Sequence, residues 1–197
     1  MEIAIQKLAV NEIVMKINKS GFTLLELMVT VAIVGIIASI AFWNSSDMLE
    51  ENRAENFLLE LKRNISYARS QAASTDEIVV ICAAEHGEVK NQNDNMQCQD
   101  QWDINKIIIV FIDSDNSGHY NKSTDSLLRV MEKISLEDKV KFTGNSRRLR
   151  FNTSGRITTN PGEFVFCPNN GTDNNKALSV SQSGTAFYLG DSAKTCG

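Results

Sequence analysis

Ser20-Gly21-Phe22-Thr23-Leu24-Leu25-Glu26-Leu27-Met28-Val29 opens an apolar run that continues to Trp43 and carries one carboxylate, Glu26, among residues suited to a bilayer. Phe22 to Trp43 is 22 residues, interrupted only by Thr23, Glu26, Thr30 and Ser39. At about 1.5 Å per residue a helix of that length crosses a hydrocarbon core of about 30 Å. An ionised Glu26 near the start of such a span costs several kcal/mol, which makes it a functional residue in need of a positive partner. The nearest source is a new α-amino group, created if the chain is cut between Gly21 and Phe22. Lys16 and Lys19 precede the run, whereas Glu50, Glu51, Arg53 and Glu55 follow it. The N-terminus is therefore expected in the cytoplasm and the remainder across the membrane. A cleaved secretory signal fits less well, because the apolar run is too long and has no small-x-small site at its end.

The run extends into an amphipathic pattern. Leu58, Leu61, Ile65, Ala68 and Ala72 recur at steps of three and four, with Glu60, Lys62, Arg63 and Arg69 between them. From Phe22 to about Ala73 there is no proline and only one glycine, Gly35, so a helix of about 50 residues is expected, roughly 75 Å long. Its weak point is Asn44-Ser45-Ser46-Asp47, where residues that favour caps and turns cluster. After Ser74 the period becomes that of strands: residues 77–83, 106–112, 127–133, 149–151, 163–167, 177–181 and 185–189, separated by Asn, Asp, Gly and Ser clusters. The fold expected is α+β, a long N-terminal transmembrane and amphipathic helix packed on an antiparallel sheet, each covering the other's apolar face. At 197 residues the economical division is residues 1–21 as a leader, 22–45 as the membrane helix and 46–197 as one head domain. Met15 to Gly21 alone would make a short basic leader, so translation is expected to start at Met15.

The residues through Gly21 hold three lysines and two glutamates, so their removal takes the formal charge from −4 to −5. A generally nucleic-acid-binding surface is not indicated. The four cysteines, Cys82, Cys98, Cys167 and Cys196, all follow the apolar run and would meet an oxidising compartment, where two disulfides are expected. Cys82 with Cys98 and Cys167 with Cys196 is the favoured pairing, each closing a polar stretch. Zinc is the rival reading, but no C-x-x-C spacing is present and His86 and His119 lack ligand spacing.

Asp113-Ser114-Asp115-Asn116-Ser117-Gly118 resembles the first half of a calcium loop, with Asp113, Asp115 and Asp125 as ligands, but the twelfth position is Thr124 where a bidentate glutamate belongs. A plain hairpin turn is the preferred reading, and no metal or other cofactor is expected. Lys139, Lys141, Arg147, Arg148, Arg150 and Arg156 locally reverse the acidic balance. Arg147, Arg148, Arg150 and Arg156 are the candidates for contact with nucleic acid or a neighbouring subunit; Arg148-Leu149-Arg150-Phe151 also reads as a half-exposed strand with a solvated face. No pairing of nucleophile and base and no phosphate loop is visible, so catalysis is not expected.

Gly21-Phe22-Thr23-Leu24-Leu25-Glu26 resembles the prepilin peptidase site of type IV pilins and type II secretion pseudopilins. The resemblance implies cleavage after Gly21, methylation of Phe22 as the new N-terminus, and a role for Glu26, at the fifth mature position, in docking the subunit into a filament. In the head, Ile78 to Cys82, His86-Gly87, Cys98, Trp102, Ile109 to Asp113, Leu127-Leu128-Arg129, and Leu149-Arg150-Phe151 before Gly155-Arg156 follow an order similar to the GspH/FimT family. That family has a type IV pilin fold and contains minor pilins of the FimU and FimT type as well as the H pseudopilin of type II secretion.

The implied protein is a minor pilin anchored once in the inner membrane with a periplasmic head, later part of a pilus. It would prime assembly and cap the tip, with prepilin peptidase, other minor pilins and the major pilin as partners. An H-type pseudopilin and a DNA-binding competence pilin are the alternatives. Family members that bind DNA use a Gly-Arg-x-Arg motif. Here Gly184-Thr185-Ala186-Phe187 has neither arginine and Gly155-Arg156-Ile157-Thr158 has one, so DNA is not the expected partner.

Overall fold

The computed structural model describes residues 21–43, 45–102 and 106–197. The leader and the expected start at Met15 lie outside the described residues, Gly21 excepted. The chain divides into two units, one ending at Trp43 and the other beginning at Asn44. The first contains helix α1, Leu24–Trp43, whose Leu, Ile, Val and Met side chains are exposed through Ile40. Thr30 and Ser39, polar in an apolar helix, donate their hydroxyls to the carbonyls of Leu27 and Ile36 at 2.9 and 2.8 Å and so keep their polarity satisfied. Among the described residues no helix is long and apolar enough to cross a membrane. The expected span ends on residues 41–43, whose side chains are outside the described set. Of the expected weak point at residues 44–47, residues 45–47 are helical and residue 44 lies outside the described set.

The second unit opens with helix α2, Ser45–Thr75. It stops because Asp76 adopts a left-handed φ of 58°, the turn that commonly follows a helix C-terminus. Ala54, Leu58, Leu61, Ile65, Ala68 and Ala72 form a fully buried stripe along one side. That stripe meets not one sheet but two. Strands β1 (Val79–Glu85), β3 (Lys106–Ile112), β5 (Ser126–Val130) and β7 (Arg148–Phe151) form the first, in the order β5-β3-β1-β7, all antiparallel. Strands β6 (Lys139–Phe142), β8 (Glu163–Cys167), β9 (Lys176–Val180) and β10 (Ala186–Asp191) form the second, in the order β10-β9-β8-β6. Val79, Ile81, Val110 and Leu149 from the first sheet and Phe164, Phe166, Leu178 and Val180 from the second share one core with the α2 stripe.

The first sheet is also covered on its other side. There Val80, Cys82, Ala84, Ile109 and Phe111 pack with Met96, Cys98 and Tyr120. Burial on both faces explains why β1 and β3 read as continuous apolar runs instead of alternating. The cover is made by a short helix, α3 (His86–Lys90), and the two-residue ribbon of β2 (Asn95–Met96) with β4 (Tyr120–Asn121). The disulfide Cys82–Cys98 ties this cover to β1.

A second disulfide, Cys167–Cys196, fastens the C-terminal tail to the end of β8. Ser192 N–H and the Asn175 side chain hold the same tail through Asn175 O and Lys194 O at 2.8 and 3.0 Å. The buried Lys176 joins sheet to helix, its ammonium lying between Asp191 and Glu51, the latter at 2.7 Å. Hydrogen bonds to Asp191 and then Glu51 hold that ammonium well above its ordinary pKa. Removing the tail disulfide with Cys167→Ser and Cys196→Ser should lower stability by roughly 3 kcal/mol, since it closes a loop of 29 residues. Urea titration of the head would read this as a lower midpoint, and an unchanged midpoint would show that the tail is held by its hydrogen bonds alone.

Candidate functional site

The N-terminal signature has a defined local structure. Gly21, Phe22 and Thr23 are exposed and non-helical, and the helix begins one residue later. Thr23 is the N-cap: its Oγ1 accepts the Glu26 N–H at 3.2 Å and its carbonyl accepts the Leu27 N–H at 3.1 Å. Thr23-x-x-Glu26 is thus a capping-box pattern, and Thr23 is more than a polar interruption of the apolar run. The consequence is positional. The Gly21–Phe22 bond lies in open chain just ahead of the first turn, and Glu26 stands in that turn, where the helix dipole favours negative charge. The exposed Leu24, Leu25, Leu27 and Met28 surround it with apolar surface.

The basic residues of the head are not gathered into one stripe. Lys139 and Lys141 lie on β6 of the second sheet, whereas Arg148 and Arg150 lie on β7 of the first. Arg147 pairs with Asp100, Arg148 donates to the Gly118 carbonyl, and Arg150 Nε stands 3.8 Å from Asp113 Oδ2. Arg148 and Arg150 thereby fasten the 113–118 loop to β7, Arg147 joins two exposed loops, and Arg156 is exposed on the turn after β7.

Asp113, Asp115 and Asp125 do come together, with carboxylate oxygens within 4.8 Å of one another. Their oxygens, however, organise the loop itself. Asp113 accepts the Gly118 N–H at 3.1 Å, and Asp125 accepts the N–H groups of Ser114 and Asn121 at 3.0 and 2.8 Å. Asp115 accepts the Ser117 N–H at 2.9 Å and the hydroxyl of Thr124 at 3.1 Å. Those bonds from Ser117 hold the Asp115 carboxyl below its usual range. Burial raises that of Asp113, with Asp125 adding to the rise against the pull of the Gly118 N–H and Arg150.

His119 sits between this loop and the first disulfide. Its Nδ1 accepts the Cys98 N–H at 3.1 Å, which requires an unprotonated nitrogen. Burial pushes the imidazole below its ordinary value, and Arg148 and Arg147 push the same way. A depressed histidine binds its proton less readily folded than unfolded, so its contribution is complete above about pH 6.5 and is lost as pH falls through the lower folded value. The urea midpoint should therefore fall between pH 7.5 and 5.5, and less so in His119→Asn; equal slopes in the two proteins would remove His119 from this role. Asp113 acts with the opposite sign at lower pH, because a carboxyl raised in the folded state favours folding as it protonates.

Comparison with known proteins converges with this geometry. Residues 59–184 match the family described as type II transport protein GspH, and residues 16–42 match the prokaryotic N-terminal methylation motif. No curated protein matches the chain. Among solved structures, the type IV minor pilin FimU of Pseudomonas aeruginosa strain PAO1 is similar in two crystal forms. One has a TM-score of 0.52 at 22% identity, covering 76% of this chain and 98% of that one. The other has a TM-score of 0.49 at 22% identity, covering 72% and 98%. At that identity the likeness is one of fold.

Proposed function

The chain belongs to the type II transport protein GspH family, and from that membership we propose that it is a minor pilin, cut after Gly21, methylated on Phe22 and built into a type IV pilus through α1. Before assembly it is anchored once in the inner membrane with its head in the periplasm. Prepilin peptidase, other minor pilins and the major pilin are its partners, and it primes the filament and stays at the tip. The observation that carries this reading is the exposed Gly21–Phe22 junction followed at once by a Thr23-capped apolar helix with a single carboxylate in its first turn. Glu26 pairs with the terminal amine of a neighbouring subunit, and burial of that pair among apolar helices makes it strong. The lysines ahead of the apolar run support a cytoplasmic N-terminus, and two disulfides support an oxidising location for the head.

The family match favours one second reading, an H-type pseudopilin of type II secretion, which uses the same processing and docking. DNA uptake is not favoured: Arg148 and Arg150 face Gly118 and Asp113 of their own chain, and the basic residues are split between two sheets. A pull-down from a lysate of the parent organism with the soluble head, residues 46–197, tests the proposal. Recovery of other minor pilins is the expected result, recovery of pseudopilins would move the protein into secretion, and recovery of neither would overturn the priming role.

A further inference from the structure

Strand β5 ends the first sheet: among the described residues it pairs with β3 alone, so its other edge is open. Met131, just past the strand, donates its N–H to the Ile108 carbonyl at 2.8 Å. Hydrogen-bonding direction alternates along an antiparallel strand, so Val130 turns its own N–H and carbonyl the other way, toward the open edge. An unpaired edge is a template for another strand, and proteins commonly guard one with an outward-pointing charge. Arg129 is not placed as such a guard. Its guanidinium lies over the Tyr67 ring of α2, 3.7 Å from the centroid, and donates to Asn64 Oδ1 at 3.4 Å, which draws it back from the edge.

The two sides of this edge differ in chemistry. Leu127 and Val130 stand opposite Phe111 and Ile109, on the side covered by α3 and the β2–β4 ribbon, whereas Arg129 stands opposite Val110, on the α2 side. On the cover side a groove of about 320 Å³ runs against β5, with Val89, Met96, Tyr120, Leu127 and Val130 as its apolar surface. Leu127 and Val130 are 38% and 47% exposed. On the α2 side a groove of about 870 Å³ sets Lys62, Arg63 and Arg129 against Glu60 alone, a local reversal on a chain of net charge −4.

We propose that the β5 edge receives one extended segment of a different subunit, a segment in which acidic and apolar residues alternate. Backbone hydrogen bonds to Val130 attach it. Because successive side chains of a strand point to opposite faces, its apolar residues enter the groove beside Leu127 and Val130 while its carboxylates face Lys62, Arg63 and Arg129. A guanidinium held in one plane, as that of Arg129 is, suits a carboxylate. A second copy of this chain is the poorer occupant, since its own β5, Ser126-Leu127-Leu128-Arg129-Val130, brings a cation and no carboxylate to the same edge. Once filled, the edge accepts no further strand, so the contact stops at one partner, as suits a subunit at a filament tip. The inference deepens the minor-pilin reading by giving the chemistry of a neighbour, and rests on that reading for there being one.

The unit from Asn44 onward contains the buried core and both disulfides, so the edge is testable on the soluble head, residues 46–197. Two capped peptides, one alternating glutamate with valine and one alternating lysine with valine, are titrated into the nitrogen-labelled head and followed by NMR. At low salt the acidic peptide should bind about tenfold more tightly than the basic one, lose most of that advantage at high salt, and slow hydrogen exchange at the Val130 N–H. Arg129→Glu should reverse the preference, and its binding of the basic peptide also shows that the variant is folded. Val130→Pro removes the N–H on the open edge and leaves the pairing with β3, so it should weaken both peptides about fivefold or more. Equal binding of the two peptides by the wild-type head, binding of neither, undiminished binding by Val130→Pro, or a head that dimerises through β5 without peptide overturns the proposal. None of these proteins is altered at Gly21, Phe22 or Glu26, so strand addition and the processing-and-docking reading fail separately.

Discussion

Glu26→Ala subunits are expected in the filament fraction at about one tenth of the wild-type level or less, while the membrane fraction still contains chains beginning at methylated Phe22. Alanine is a better helix former than glutamate, which offsets the loss of the carboxylate's dipole interaction, about 0.3–1 kcal/mol, so fraying of the first turn does not account for a tenfold defect. On the docking role proposed for Glu26, what disappears is one member of an ion pair in surroundings of low dielectric, and such a loss costs several kcal/mol. Even a fraction of that exceeds the 1.4 kcal/mol of a tenfold change. The Gly21–Phe22 bond lies outside the helix, ahead of the Thr23 cap, and its exposure does not depend on the Glu26 carboxylate. Immunoblots of sheared filaments and mass spectrometry of the N-terminus read the two effects apart. Glu26→Gln keeps the shape without the charge and should behave like the alanine variant. Incorporation equal to wild type would discard the ion pair as the docking device.

Gly184→Val should destabilise the head by about 4 kcal/mol, enough to remove much of the stability of a small domain. Gly184 has φ +77°, a conformation that costs a residue with a side chain about 1–2 kcal/mol and a β-branched one more. A Cβ there would stand 2.6 Å from the Gly155 carbonyl oxygen and 3.0 Å from Phe151 Cε1. Backbone cannot yield as a flexible side chain does, and overpacking of this kind costs a further 1–3 kcal/mol or so. Gly155, itself at φ +68°, lies against Arg69 of α2, and the same arginine reaches Thr185 Oγ1 at 2.9 Å. Two turns and a helix therefore meet at a point with no room. A thermal melt of Gly184→Val within a degree or two of wild type would show that the turn can rearrange.

Local features were the legible ones. The three-and-four spacing of Leu58, Leu61, Ile65, Ala68 and Ala72 marked the buried side of α2, and all five are fully buried. The bounds expected for residues 106–112 and 163–167 are those of β3 and β8. β6 escapes a reading by charge because Lys139 and Lys141 stand out, although Val140 and Phe142 alternate with them as in a strand. That omission hid the second sheet, whose far edge is β6 paired with β8 across an intervening turn and the whole of β7. Pairing between distant segments leaves no periodic trace. α3 is five residues long, too short for any period to show. At the N-terminus every residue of the motif is contiguous, so the motif was legible, whereas the Thr23 bond to Glu26 needs the helix start to be known first.

The two disulfides set how the head would respond to a pull on the ends of its chain. Their sequence separations are 16 and 29 residues. At about 3.4 Å per extended residue they keep roughly 150 Å of contour out of reach of any force applied through the ends of the chain. A head that yields under tension thus lengthens in shortened increments, with the tail of β8 and the cover of β1 still looped onto their strands. On release, those loops need no search to find their ends.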